Sequence, residues 1–189
     1  MEVIKELNNI TLPEDFNIKY INENEFNERD VRKAIELYEK DKRENSYKEL
    51  KFTIFGDTSA WKRAVHLKTH VFDPNVVVKN DTRMEVYRQL ELLGYSNFIP
   101  VTGEVHLDLD VYRPIPKATP KYKKLLMEAG VIRPIIKPDT DNYIKLLSDT
   151  LNNILFKDDA QIVSEPVDKY YSFCPRMEFK IRFKELYLF

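Results

Sequence analysis

One cysteine, Cys174, occurs in 189 residues, so no intrachain disulfide can form. A lone thiol without a matched histidine motif is expected as a buried, inert side chain, and such sparing use of cysteine fits a reducing compartment. Excess charge is missing too. Thirty Lys and Arg against 31 Asp and Glu leave a net charge of −1, which excludes a global basic signature for nucleic acid. Any such signature has to be local. No apolar run approaches the length that spans a bilayer. The opening residues MEVIKELNNITLPEDF carry acids where a signal peptide has a basic and then an apolar stretch, so the expected location is cytoplasmic. Internal repeats, low-complexity tracts and long Gly/Ser linkers are absent as well. The first fifty residues hold no glycine, and thirteen acids there face nine Lys or Arg. Their one helical pattern, EFNERDVRKAIELYEKDKR, places Val31, Ile35 and Tyr38 on a common face. This stretch reads as an N-terminal helical extension, residues 1–50, ahead of a main domain at 51–189.

What is present suffices for one sizeable core, with 43% hydrophobic and 12% aromatic residues. KFTIFG reads as a strand stopped by Gly56, and TSAWKRAVHLKTHVFDP as a loop or ragged hairpin closing at Asp73-Pro74. In DTRMEVYRQLELLGY, Met84, Tyr87, Leu90 and Leu93 follow one helical face, and Gly94 sits where a helix stops. GEVHLDLDVYRP alternates strictly, with Val105, Leu107, Leu109 and Val111 on one side and His106, Asp108, Asp110 and Tyr112 on the other, which predicts a strand. QIVSEPVDKYYSF and RMEFKIRFKELYLF predict two more strands, expected to pair antiparallel with each other. The predicted class is α+β, a mixed β-sheet with packed helices. Between residues 113 and 137, Arg113, Lys117, Lys121, Lys123, Lys124, Arg133 and Lys137 stand against Glu128 alone. That is the local basic signature.

Carboxylates gather next to it, in KPDTDNYIKLLSDTLNNILFKDDAQ, residues 137–161. Pro138 biases Lys137 toward an extended conformation, so a helix is expected to begin at Asp139-Thr140-Asp141-Asn142. The plain alternative is that one of these aspartates only caps the helix. At about 3.6 residues per turn, Asp141, Lys145, Asp149 and Asn152 fall on one stripe, and Ile144, Leu147, Leu151 and Ile154 on a separate apolar arc. Taken alone, the stripe is also what a solvated ion-pair ladder looks like. Past the helix end near Leu155, Asp158 and Asp159 sit on a turn that can fold back toward it. Two tandem carboxylates beside a second pair repel one another unless a cation offsets them. Oxygen donors without a nearby Cys or His point to Mg2+ or Mn2+ rather than zinc. A calcium EF-hand fails on spacing, because its glycine is missing and Thr150 stands at the bidentate glutamate position. Mg2+ held by a few aspartates keeps positions for a substrate phosphate, and Lys145 among the acids makes sense with such an anion. The inferred chemistry is metal-assisted phosphodiester hydrolysis.

The stretch KPDTDNYIKLLSDTLNNILFKDDAQIV resembles the signature of the RusA-type Holliday junction resolvases, endodeoxyribonucleases of bacteria and their phages. Pro138-Asp139-x-Asp141-Asn142, Lys145, Asp149, Leu151, Asn152 and Asp158-Asp159-Ala160-Gln161 fall in family order. The resemblance implies that Asp139, Asp141 and Asp159 bind the metal, that Lys145 is catalytic, and that Asp158 is a neighbouring metal-binding candidate. It extends to RPIPKATPKYKKLLMEAG and FTIFGDTSAWKRAVHLKTHVFDP, where Lys62 and Arg63 match basic positions, and it spans roughly residues 51–185. It further implies a homodimer of mixed α/β fold that binds four-way junctions and nicks opposing strands symmetrically in recombination and repair. Lys62, Arg63, Arg113, Lys117, Lys121, Lys123, Lys124 and Lys137 are then the DNA-binding candidates.

Other features compete for attention. His66 and His70 are four apart, but no catalytic glutamate lies between them and the segment is not clearly helical, which disfavours zinc. Asp108 and Asp110 form a second acidic pair, read more simply as a polar strand face. Trp61, beside Lys62 and Arg63, either stacks on a base or fills core space. Two further functions fit the same residues: a non-catalytic binder of branched DNA, and a metal nuclease acting on flaps or other branched DNA.

Overall fold

The computed structural model describes residues 4–16, 18, 25–56, 65–66, 71–72 and 74–184, the four at 65–66 and 71–72 by their backbone. The chain divides into two compact units between Ser46 and Tyr47.

In the first unit, strands β1 (Glu6–Leu7) and β2 (Ile10–Thr11) form an antiparallel pair, followed by helix α1 (Glu28–Glu44). Asn27 starts α1 because its side chain accepts from the Asp30 amide while the Asp30 carboxylate accepts from the Asn27 amide, which satisfies two orphan donors at once. Leu7, Leu12 and Val31 are its buried core, with Phe16 and Ile35 packed around them.

The second unit begins with β3 (Lys48–Phe55), so Lys48, Glu49 and Leu50 belong to its sheet and not to an N-terminal extension. β4 (Val65–His66) and β5 (Val71–Phe72) pair antiparallel, and helix α2 (Val76–Leu92) follows. Next come β6 (Val105–Pro114), α3 (Lys121–Glu128) and α4 (Thr140–Leu151). Strands β7 (Ile162–Ser164), β8 (Val167–Ser172) and β9 (Arg176–Phe183) complete the described chain. One five-stranded sheet organises this unit. It runs β3, β9, β6 by antiparallel pairing, and β7 and β8 then lie parallel to β6 along its other edge. The class is α+β, as expected.

Alternation decides which face of the sheet is wet. Val105, Leu107, Leu109 and Val111 of β6 and Met177, Phe179, Ile181 and Phe183 of β9 all point into one core. α2 contributes Val86 and Leu90 to it, and α4 contributes Tyr143, Ile144, Leu147 and Leu151. Among the described residues, no helix is long and apolar enough to cross a membrane.

Three expectations need correction. The last two strands do not pair with each other: β8 flanks β6 on one side and β9 on the other. The short link 173–175 passes β6 beyond its end at Pro114, a residue that has no amide to extend the ladder. Cys174 lies in that link and is exposed, not buried. α2 buries Thr82, Val86 and Leu90, while Met84, Tyr87 and Leu93 are exposed, so only Leu90 lies on both the expected and the observed face. Its polar contacts choose the rotation. Arg83 Nε donates to the Thr150 carbonyl at 3.2 Å, and the Gln89 amide pairs with Thr53, accepting at 3.1 Å and donating at 2.6 Å. Gln89 thereby covers part of an edge strand that would otherwise present open backbone groups.

Candidate active site

The acidic stretch folds in two pieces that meet. Asp139 is extended (φ −76°, ψ 160°) and occupies the N-cap position of α4, yet its carboxylate makes no capping hydrogen bond. Its exposed side chain is therefore not consumed by the helix start, which is what the plain capping reading required. Two residues on, Asp141 is exposed and accepts from Asn142 Nδ2 at 3.2 Å, and Lys145, one turn further, is exposed on the same flank. The opposite arc of α4 is buried as its spacing predicts, with Ile144, Leu147 and Leu151 in the core, and Ile154 just past the helix is buried with them.

The helix stops earlier than Leu155. It ends at Leu151, Asn153 adopts a left-handed φ of 62°, and the Asn153 amide donates to the Phe156 carbonyl at 2.7 Å. Reciprocal bonds with Val101, Val101 N to Leu155 O at 3.0 Å and Lys157 N to Val101 O at 3.3 Å, then carry the chain back beside the helix. A single 3-10 turn, Asp159–Gln161, follows.

Asp158 and Asp159 separate by role in this turn. Asp158 is its N-cap and accepts from the Ala160 amide at 2.8 Å. Gln161 answers by accepting from the Asp158 and Lys157 amides at 3.0 and 2.9 Å, and its Nε2 donates to the Val101 and Gly103 carbonyls at 3.0 and 2.7 Å. All four hydrogen-bonding positions of the Gln161 carboxamide are thus used to hold the turn. Asp159, exposed, is the carboxylate the turn presents.

Asp141, Lys145, Asp149 and Asp159 line one cleft of about 460 Å³, together with Glu165 from the link between β7 and β8. Asp139 stands at the start of α4, outside this lining. Asp149 is only 28% exposed and faces the Lys79 ammonium of α2 at 3.4 Å. Among the described residues no three His, Cys, Asp or Glu side chains converge closely enough to hold a metal ion. By donor chemistry the cleft suits a hard divalent cation, because it offers carboxylate oxygens and no thiolate or imidazole. Lys79 and Glu165 escaped the sequence reading, and Gln161 was read only as a motif position, without its bracing role. Only Gln161 had a signal, the D-x-x-Q spacing of a capping box.

The basic candidates divide. Arg113 donates to the Lys137 carbonyl at 2.9 Å and the Ile136 carbonyl at 3.4 Å, so it braces the backbone that leads into Asp139. Lys169, on β8, does the same through the Ile136 and Pro138 carbonyls at 3.2 and 3.0 Å. Lys124 donates to the Lys117 carbonyl at 3.1 Å, while Lys117, Lys121, Lys123 and Lys137 are exposed. Lys62 and Arg63 lie outside the described residues, as do Trp61, His70 and the side chain of His66.

Asp108 and Asp110 belong to the other, wet face of the sheet and line a different cavity. Asp108 pairs with Lys180 of β9 at 2.9 Å. Asp110 sits between Asp168 on β8 and Glu178 on β9 in cross-strand register. Burial first, and then the charges of Asp168 and Glu178, hold its carboxyl above the usual range.

Carboxylates and a lysine on one cleft, with basic side chains along the neighbouring chain, make a site suited to phosphate-ester chemistry. Residues 57–182 match the family described as Endodeoxyribonuclease RusA, and the chain belongs to that family. It is also 38% identical over 138 residues to the uncharacterized protein YqaN of Bacillus subtilis strain 168, an alignment that covers 70% of this chain and 95% of the relative. Membership makes the protein an endodeoxyribonuclease, a hydrolase of the Holliday junction resolvase type.

Proposed function

We propose that the protein resolves four-way DNA junctions by Mg2+-dependent, symmetric phosphodiester hydrolysis in recombination and repair, acting as a homodimer. The observation that carries this reading is the cleft itself, where the 3-10 turn brings Asp159 to Asp141 and Lys145 of α4. Asp139, Asp141 and Asp159 would hold the cation, with Mn2+ as a substitute. When bound, the metal supplies Lewis-acid polarisation of the phosphoryl oxygen and an activated water. Lys145 binds a non-bridging oxygen of the scissile phosphate and offsets charge as the pentacovalent transition state develops. Lys79 holds Asp149 in place at the back of the cleft. Asp158 serves the turn rather than the metal. Lys117, Lys121, Lys123 and Lys137, together with Lys62 and Arg63, contact phosphates of the arms. Residues 47–184 would form the catalytic domain and residues 1–46 an appended one.

Cleavage of a synthetic four-way junction beside flap and linear duplex tests the proposal. Paired nicks on opposing strands that need Mg2+ or Mn2+ are expected. Tight junction binding in EDTA without cleavage in either metal would leave only a branched-DNA binder.

A further inference from the structure

Ile135 is 96% exposed, the most exposed large apolar side chain among the described residues, and its neighbour Ile136 is 56% exposed. Exposed apolar side chains on a surface are ordinary, and Val76–Val77 is a second exposed β-branched pair, so what marks Ile135–Ile136 is near-complete exposure on a braced backbone. The backbone beneath the pair is held. Arg113 from β6 and Lys169 from β8 converge on the Ile136 carbonyl and extend to the Lys137 and Pro138 carbonyls. Two strands of the central sheet thereby fix a projecting apolar knuckle directly ahead of Asp139.

We propose that Ile135 and Ile136 are an apolar wedge that enters the base stack at the branch point of the junction. This rests on the junction-resolving function proposed above and adds a residue-level basis for choosing branched over linear DNA. Charge favours DNA as the occupant over an apolar protein surface. The knuckle closes a stretch, residues 113–137, that carries seven cations against one acid, and the exposed Lys137 follows it directly. Reach agrees as well. Asp139 follows Ile135 by four positions, at most about 14 Å of extended chain. At about 3.4 Å per stacked base, the wedge acts within roughly four steps of the scissile phosphate. Aliphatic side chains inserted between base steps unstack and kink DNA, and a branch point, where stacking is already interrupted, is where insertion costs least.

The test uses a four-way junction with 2-aminopurine at its centre, bound in Ca2+ so that unstacking is read apart from cleavage. Wild type should raise the fluorescence severalfold. The double variant Ile135→Ser/Ile136→Ser should leave it near the free-junction level, lose its preference for junction over duplex about tenfold, and keep the wild-type melting temperature, since both side chains are exposed. Ile135→Leu should retain the signal. Fluorescence and junction preference unchanged in the double variant, while wild type cleaves junctions, would overturn the wedge alone. A shift of the double variant from dimer to monomer in sedimentation would also overturn it, by assigning the pair to self-association. Failure of wild type to cleave any junction in Mg2+ would instead overturn the function on which the wedge rests.

Discussion

Asp158 and Asp159 are adjacent carboxylates with different work. Spacing alone treats them as equals, because nothing in the letters DD says which one turns inward to serve the backbone. The 3-10 turn decides: Asp158 accepts from the Ala160 amide, and Asp159 is left facing the cleft. Asp158→Asn keeps a capping oxygen and should keep cleavage within about threefold of wild type, whereas Asp158→Ala should cost about 1 kcal/mol of stability by thermal unfolding. If Asp158 instead ligates the metal, Asn at that position should raise the Mg2+ requirement at least about tenfold. Gln161 is the other residue-scale determinant. Gln161→Leu takes the side-chain partner from the Asp158 amide and the Gly103 carbonyl, leaves Lys157 N and Val101 O with only their mutual bond, costs about 1–3 kcal/mol, and should raise the Mg2+ concentration needed for half-maximal cleavage because Asp159 loses its support. A wild-type Mg2+ titration in that variant would contradict the assignment. Helical spacing put Asp141, Lys145 and Asp149 on one stripe, and all three line the cleft, whereas Asp139 stands at the helix start outside that lining. Lys79 and Glu165 were not legible, since they reach the cleft from α2 and from the link after β7, and no local pattern connects those segments to α4.

Elements were legible where one period dominates. β6 and β9 alternate strictly, and their apolar sets are buried as alternation predicts. α2 was placed correctly as a helix, ended by Gly94 at a positive φ of 85° with Tyr95 N to Leu90 O at 2.8 Å, but its buried face was misjudged. Apolar residues surround that helix, so periodicity permits more than one stripe, and Arg83 and Gln89 make the choice through partners distant in sequence. Strand order was hidden for a related reason. A short link between two strands suggests a hairpin, yet β6 lies between β8 and β9 and hydrogen-bonds to both. That insertion has an electrostatic consequence: it places Asp168, Asp110 and Glu178 side by side across three strands. Arg133 offsets Asp168 at 2.7 Å and Arg176 offsets Glu178 at 2.6 Å, and Asp110 is left with its carboxyl held above the usual range. A carboxyl raised on folding binds its proton more tightly in the native state, so stability falls as pH climbs from the ordinary value of 3.8 through the raised one. Asp110→Asn should therefore stabilise the protein at pH 7 by about 0.5 kcal/mol and much less near pH 4. Equal shifts in melting temperature at both pH values would contradict this.

At the scale of the whole molecule, the candidate cleft belongs to the second unit, whose plan is one sheet with α2 and α4 on the apolar side. Burial of one arc of α4 directs its opposite flank, with Asp141 and Lys145, outward, and the return of the chain past Val101 brings Asp159 to meet it. The matched family span starts at residue 57, so the first unit, with its own small core around Leu7, Leu12 and Val31, lies outside it. The central claim is that this cleft cuts branched DNA with a divalent metal held by aspartates. Its most direct test is cleavage of a four-way junction in Mg2+ by wild type, Asp141→Asn and Asp159→Asn, with binding measured in parallel in Ca2+. Paired, opposed nicks by wild type and a loss of at least about a hundredfold in each variant, with junction binding retained, are predicted. No cleavage by wild type in Mg2+ or Mn2+, or full activity in Asp141→Asn, would contradict it.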